Sequence, residues 1–146
     1  MPNLSVTHQA GDQFQLQVRG HRLTCDQPSA DGGTDQGPTP TELFVASLAA
    51  CVGFYARRFL ARHDLDTAGL RVQVAFTMSP DRPARVATIT LRLLLPQPLA
   101  EHRRRAMLAL VEHCTVHNSI RTPPEVRVTL AEPARPSPAA LATVAR

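Results

Sequence analysis

The sequence predicts an α+β domain in which helices pack on a mainly antiparallel sheet. Apolar residues alternate with polar ones at Leu70, Val72, Val74, Phe76 and Met78, and again at Ala87, Ile89, Leu91, Leu93 and Leu95, which marks two strands. A capped and almost unbroken apolar run at residues 39–56 marks a buried helix. After the two strands, Met107, Leu110, Val111 and Cys114 fall at i, i+3, i+4 and i+7, the spacing of a second helix.

Taken in order, the first elements are three short strands. Residues 4–8 form one; Phe14, Leu16 and Val18 alternate with Gln15, Gln17 and Arg19 in the next; residues 21–25 follow the turn at Gly20. The segment DQPSADGGTDQGP, residues 26–38, is almost all turn formers and reads as a loop. Helix one then opens with Thr39 as N-cap, Pro40 at N1 and Glu42 at N3, the T-x-x-E capping box. From residue 43 to 56 it is apolar on every side, so we expect it to be buried all round, covered by a second helix or a second subunit. The SPDRPA segment turns the two long strands into an antiparallel hairpin with one buried face. Helix two follows Pro98, and a last strand is expected at Val126, Val128 and Leu130. With 146 residues the chain has the size of one domain, which we place at 1–131, followed by a Pro- and Ala-rich tail at 132–146.

Composition narrows the function classes. The net charge is +4 and every basic residue is an arginine, 16 in all. These are dispersed except for Arg103, Arg104 and Arg105, and five Phe, one Tyr and no Trp leave little to stack on bases, so no nucleic-acid partner is expected. The opening MPNLSVTHQAGDQ has neither a basic n-region nor an apolar core of a signal peptide. The apolar stretch at 43–56 ends at Arg57 and Arg58 and is too short for a bilayer, so no membrane association is expected. The expected compartment is a reducing cytoplasm, where three cysteines serve as packing residues, metal ligands or redox centres rather than structural disulfides.

Cys51 lies about three turns into helix one and Cys114 close to the end of helix two, each among apolar neighbours. Either could be a small core hydrophobe. As reactive groups they differ. Cys51 sits ~16 Å along its helix from Pro40, beyond the reach of the helix N-terminal dipole, so a thiolate there needs an arginine from another segment. A negative charge at the carbonyl-rich end of helix two is disfavoured, which suits Cys114 to a second, resolving role and not to first attack. Cys25 closes a strand and reads as structural. His113, Cys114 and His117 have helical spacing for a metal, but no CxxC or HExxH accompanies them, His113 and His117 project away from the apolar stripe, and no metal is expected.

The stretch GGTDQGPTPTELFVASLAAC, paired with HCTVHNSI downstream, resembles the OsmC/Ohr superfamily of thiol-dependent hydroperoxide reductases. The first resembles that family's GP-x-P-x-E-L-hydrophobic-A-x-x-A-x-C helix, the second its C-P-V segment at the end of the other long helix. What the resemblance implies is an OsmC-like fold, an intertwined homodimer with the first helix buried centrally, and antioxidant peroxidase activity in an oxidative stress response. It implies that Cys51 attacks an organic hydroperoxide and becomes a sulfenic acid. Cys114 would then condense with it to a disulfide, which an external dithiol reductant reduces with no bound cofactor.

The sequence also departs from the family pattern. The family's glutamate ten positions before the first cysteine is Thr41 here, and Glu42 points about 100° away and is committed to the cap. The first strand turn, AGDQ, lacks the family's arginine; Arg19 and Arg22 are the substitutes on offer, and Thr115 replaces a common proline. A rival expectation is therefore a non-enzymatic OsmC-like dimer whose apolar pocket binds a hydrophobic small molecule. A Cys/His metal site is the third.

Overall fold

Thr39 begins the central helix as its sequence predicts. Its side-chain oxygen accepts from the Glu42 N–H at 3.2 Å, and the Glu42 carboxylate accepts from the Thr39 N–H at 2.8 Å. This satisfies amide donors that a helix start leaves without partners, while Pro40 has none to satisfy. The structure, a computed structural model, describes residues 4–132. Helix α1 spans Pro40–Arg62, 23 residues.

It therefore outruns the expected apolar stretch by about a turn and a half. Arginine is a good helix former, so Arg57 and Arg58 extend into solvent while Phe59 and Leu60 continue the buried face. At this length α1 is apolar enough to cross a membrane by length and composition alone, which corrects the expectation that the segment is too short; a core helix of a small domain passes the same test.

Five strands form two antiparallel sheets where one was expected. β1 (Leu4–Ala10), β2 (Gln13–Val18) and β3 (His21–Cys25) pair in that order, with Val6 opposite Leu16 and Leu16 opposite Leu23. β4 (Arg71–Met78) and β5 (Val86–Leu94) form the long hairpin; Val72, Val74 and Phe76 face Leu93, Leu91 and Ile89, so one register gathers the apolar set on one face. That face lies on α1, and the crossing at Gly53 is close: a Cβ there would stand 3.3 Å from the Val72 side chain, which would have to give by a few tenths of an ångström. Only part of it is covered, since Val74, Phe76 and Met78 remain exposed.

Helix α2 (Glu101–Val111) and the short helix α3 (Thr115–Arg121) close the other side. The core is Leu48, Val52, Ala56, Phe59 and Leu60 of α1 with Met107, Val111 and Cys114, flanked by half-buried Ile89, Leu91 and Leu93. Burying a side chain of this size contributes about 1.5–3 kcal/mol. Within one chain the burial of α1 is one-sided: Phe44 is 43% and Phe54 52% exposed, the face for which a second subunit was expected as cover.

Two further expectations are corrected. No strand forms at residues 126–130, where Val126, Val128 and Leu130 are 79%, 87% and 99% exposed. The alternation is there, but a strand exists only against a neighbour that takes its backbone hydrogen bonds, and no described strand lies beside it. The helical pattern ending at Cys114 is broken after Val111, so Cys114 stands between two helices. The tail beginning at 132 lies, from residue 133, outside the described residues.

The loop 26–38 is organised by a buried carboxylate that the run of turn formers conceals. Asp26 is 1% exposed. Its oxygens accept from the Thr34 hydroxyl at 2.6 Å and from the backbone N–H groups of Gln27, Thr34 and Gln36 at 2.8, 3.2 and 3.1 Å. The Thr34 hydroxyl foremost, then the amides, outweigh burial and hold the carboxyl below the usual range. This loop delivers the chain from β3 to the cap of α1.

Candidate functional site: a pair of thiols at the edge of the core

On α1, Phe44, Leu48, Cys51 and Tyr55 recur at i, i+4, i+7 and i+11, one stripe along the helix. Cys51 is half-buried and packs against the core cluster that contains Cys114. Because Leu48 and Val52 on either side are fully buried, Cys51 occupies the border between the core and the open face of α1.

Cys114 reaches the same place from the α2–α3 junction. Its N–H closes the end of α2 on the Val111 carbonyl at 3.2 Å, its backbone is extended (φ −65°, ψ 152°), and its carbonyl accepts from the Asn118 N–H at 2.9 Å. It is therefore the N-cap residue of α3, which overturns the expectation that the carbonyl end of helix two governs its charge. The residue is fully buried. Burial pushes its thiol up, the Cys51 thiol beside it pushes it further up, and the N–H groups of His117 and Val116 pull against both without prevailing. Cys114 is thus kept as a neutral thiol next to Cys51. The structure brings the two predicted site residues together; it leaves Cys25 elsewhere, buried at the end of β3 with a thiol pushed up by burial and then by Asp26.

A cavity of about 270 Å³ lies between α1, β5 and α3. Phe44 and Leu48 of α1, Ile89 and Leu91 of β5, and His117 and Ile120 of α3 wall it. Leu48 is one turn before Cys51 and His117 one turn after Cys114, so the cavity shares α1 and α3 with the thiol pair, although neither cysteine lines it. His117 is half-buried in this wall and does not project away from the apolar side as its helical spacing suggested. A second apolar cavity, about 520 Å³, lies between the three-stranded sheet and the first turns of α1 and has Cys25, Leu16 and Leu43 in its walls.

No arginine engages Cys51 among the described residues. Arg19 occupies the β2–β3 turn with φ 54° and Arg22 sits opposite Gln17, both exposed, and the ion pairs lie elsewhere, at Arg85–Asp81, Arg104–Glu101, Arg105–Glu101 and Arg127–Glu125. Among the described residues no group of three or more His, Cys, Asp or Glu side chains is placed to hold a metal ion.

Tyr55 and Thr115 are contacts that sequence reasoning missed. The Tyr55 hydroxyl lies 3.3 Å from the Thr115 hydroxyl, joining α1 to the residue after Cys114. The available signal was spacing: Tyr55 is four residues after Cys51, on its stripe.

Together these features define a class: a small α+β domain in which a cysteine of the long helix, at the rim of the apolar core, meets a buried cysteine from the junction of the two other helices. Residues 33–129 match the model of the OsmC-like protein family, well over half of the chain, and the chain belongs to that family. Solved structures share the fold. One, a Psychrobacter arcticus protein of the osmotic-stress and detoxification response, is 23% identical with a TM-score of 0.75, over 82% of this chain and 88% of its own. The organic hydroperoxide resistance protein OsmC of Legionella pneumophila is 18% identical with a TM-score of 0.63, over 83% and 89%. The organic hydroperoxide resistance protein OhrB of Bacillus subtilis is 18% identical with a TM-score of 0.56, over 83% and 92%. No curated protein matches the sequence significantly.

Proposed function

We propose that the protein reduces organic hydroperoxides through Cys51 and Cys114, in keeping with the peroxide-resistance role that its family and its named structural relatives support. The observation that carries this reading is the approach of a half-buried thiol on α1 to a fully buried, neutral one at the α2–α3 junction. The Cys51 thiolate attacks a peroxide oxygen; the O–O bond breaks, Cys51 becomes a sulfenic acid, and the alkoxide leaves as the alcohol after taking a proton. The Cys114 thiol then displaces hydroxide from the Cys51 sulfur, giving the disulfide and water. A dithiol reductant restores both thiols and leaves as its own disulfide. The cavity walls suit the organic tail of such a substrate.

The same reading places the protein in the cytoplasm as a homodimer, with no nucleic acid or membrane as partner. Support comes from the apolar surface that one chain leaves open, including Phe54 at 52%, Met78 at 48% and Leu130 at 99% exposure. A cover from a second copy would bury the open face of α1 and give residues 126–130 a neighbouring strand. The rival reading, a non-enzymatic dimer binding a hydrophobic small molecule, is favoured by the larger apolar cavity and by the lack of an arginine at Cys51.

Intact mass of the reduced protein after one equivalent of cumene hydroperoxide separates the two. Loss of two hydrogens with a mapped Cys51–Cys114 disulfide, and a trapped sulfenic acid in Cys114→Ser, is the expected result. An unchanged mass over minutes would transfer the assignment to the binding module.

A further inference from the structure

We propose that Tyr55 is a positioning residue for disulfide closure, acting through its hydrogen bond to Thr115 to hold the Cys114 turn against Cys51; this rests on the peroxidase reading but is testable without it. The geometry is specific. Tyr55 is one turn beyond Cys51 on α1, and Thr115 is the first residue of α3, immediately after Cys114. Their hydroxyls lie 3.3 Å apart and so tie together the two backbone segments that carry the sulfur atoms. The junction's backbone is bonded from its own side: Cys114 N–H to the Val111 carbonyl at 3.2 Å, Asn118 N–H to the Cys114 carbonyl at 2.9 Å, and the Asn118 side-chain amide to the His113 carbonyl at 3.0 Å. Beside the contact of the Cys51 and Cys114 thiols, the Tyr55–Thr115 pair is, among the described residues, the hydroxyl–hydroxyl contact that crosses from α1 to this junction.

The ring that carries the Tyr55 hydroxyl is itself braced. Phe54 meets it edge-on, with centroids 5.7 Å apart and an interplanar angle of 80°, and the Arg58 guanidinium lies over Phe54 at 5.5 Å. A braced phenol loses little freedom when it bonds, so it transmits position efficiently. Position matters at this step because a disulfide tolerates only a narrow range of Cα separations and one pair of dihedral wells. Attack on the peroxide involves Cys51 alone and does not depend on where Cys114 stands. Closure, Cys51–SOH plus Cys114–SH giving the disulfide and water, does.

The test measures closure in two ways on the full chain, with Tyr55→Phe, Thr115→Val, Thr115→Ser and the double variant Tyr55→Phe/Thr115→Val. One readout is quenched-flow mass spectrometry after cumene hydroperoxide, resolving sulfenic acid formation from disulfide formation. The other is equilibration of the Cys51–Cys114 pair with glutathione, which reports their effective concentration whether or not peroxide is a substrate. We expect Tyr55→Phe and Thr115→Val each to slow closure and weaken the disulfide roughly 2- to 10-fold, the effect of one net hydrogen bond. Sulfenic acid formation should be unchanged, Thr115→Ser should behave as wild type, and the double variant should be no worse than either single. Unchanged closure in Tyr55→Phe, or independent losses that multiply in the double variant, would overturn the proposal. If wild type closes with glutathione but not with peroxide, the peroxidase reading fails while the positioning role is still decided by the glutathione series.

Discussion

Cys51 and Cys114 lie side by side but differ in access: Cys51 is half-buried at the rim of the core, and Cys114 is fully buried behind it. Under the proposed function this asymmetry sets the order of the steps. A molecule from solution meets the Cys51 sulfur first, both when an oxidant arrives and when a reductant returns.

The first prediction concerns the reductive step. Access is one of the factors that direct thiol–disulfide exchange, and burial of Cys114 makes it the deciding one here although its raised thiol is the poorer leaving group. A limiting monothiol added to the oxidised protein should form its mixed disulfide on Cys51 and release Cys114 as a thiol. Peptide mapping of the adduct checks this. A predominant adduct on Cys114 would show that the buried sulfur is the one presented.

Alkaline stability should report the buried thiols. Burial raises the Cys114 thiol above its ordinary value near ~8.5. Below that value the thiol is neutral in folded and unfolded chains alike, and folding is unaffected. As pH rises past it, the unfolded chain ionises first, so stability falls until the higher folded value is passed. The slope of Tm against pH between about 8.5 and 10.5 should therefore be shallower in Cys114→Ala than in wild type. Equal slopes would mean that Cys114 does not resist ionisation. Cys25, raised by burial as well, leaves a residual slope in both.

Asp26 should act in the opposite direction. Its carboxyl is held down, chiefly by the Thr34 hydroxyl, so its contribution is present above the ordinary carboxyl value and is lost as pH falls through the lower folded one. Asp26→Asn should loosen residues 26–38, read as faster limited proteolysis there, and the difference from wild type should shrink on acidification. Gly37→Ala should have a similar effect for a steric reason, since a Cβ would run into the Thr24 carbonyl, whereas Gly20→Ala meets nothing within 4 Å. A proteolysis pattern unchanged in Asp26→Asn would sink the assignment of Asp26 as the loop's anchor.

Leu60 tests the core. It is fully buried among Phe59, Met107 and Val111, and Leu60→Ala should cost about 2–5 kcal/mol in denaturant unfolding. Phe54→Ala, on the open face of α1, should change the unfolding free energy of a monomeric preparation much less. Similar losses at both sites would mean that the open face is already covered.

Much of this was legible in the sequence because the signals were local. The Thr39–Pro40–Glu42 cap, the β3 bounds and the β4–β5 face follow from capping chemistry and a period of two. Cys51 and Cys114 were legible as candidates from the two motifs that resemble the OsmC/Ohr superfamily, since their apolar settings alone also fit core packing. What escaped had non-local causes. The α2 periodicity runs on through Cys114 although the helix does not, because the junction is so tight that Cys114 still bonds back to Val111. Val126, Val128 and Leu130 have a strand's alternation, but pairing depends on a neighbour that the segment does not encode. Asp26 hid among turn formers, since nothing in DQPSADGG says which carboxylate turns inward. Tyr55 and Thr115, 60 residues apart, meet only once α1 and α3 are packed.

Peroxide consumption by Cys51→Ser is the most direct test. Reduced wild-type protein, Cys51→Ser and Cys114→Ser are each mixed with excess cumene hydroperoxide and dihydrolipoamide, and the remaining peroxide is followed in time. We expect wild type to turn over, Cys114→Ser to consume about one equivalent rapidly and then slow, and Cys51→Ser to show no consumption beyond the reductant alone. Consumption by Cys51→Ser at the wild-type rate would contradict the assignment of Cys51 as the reacting thiol, and with it the proposed activity.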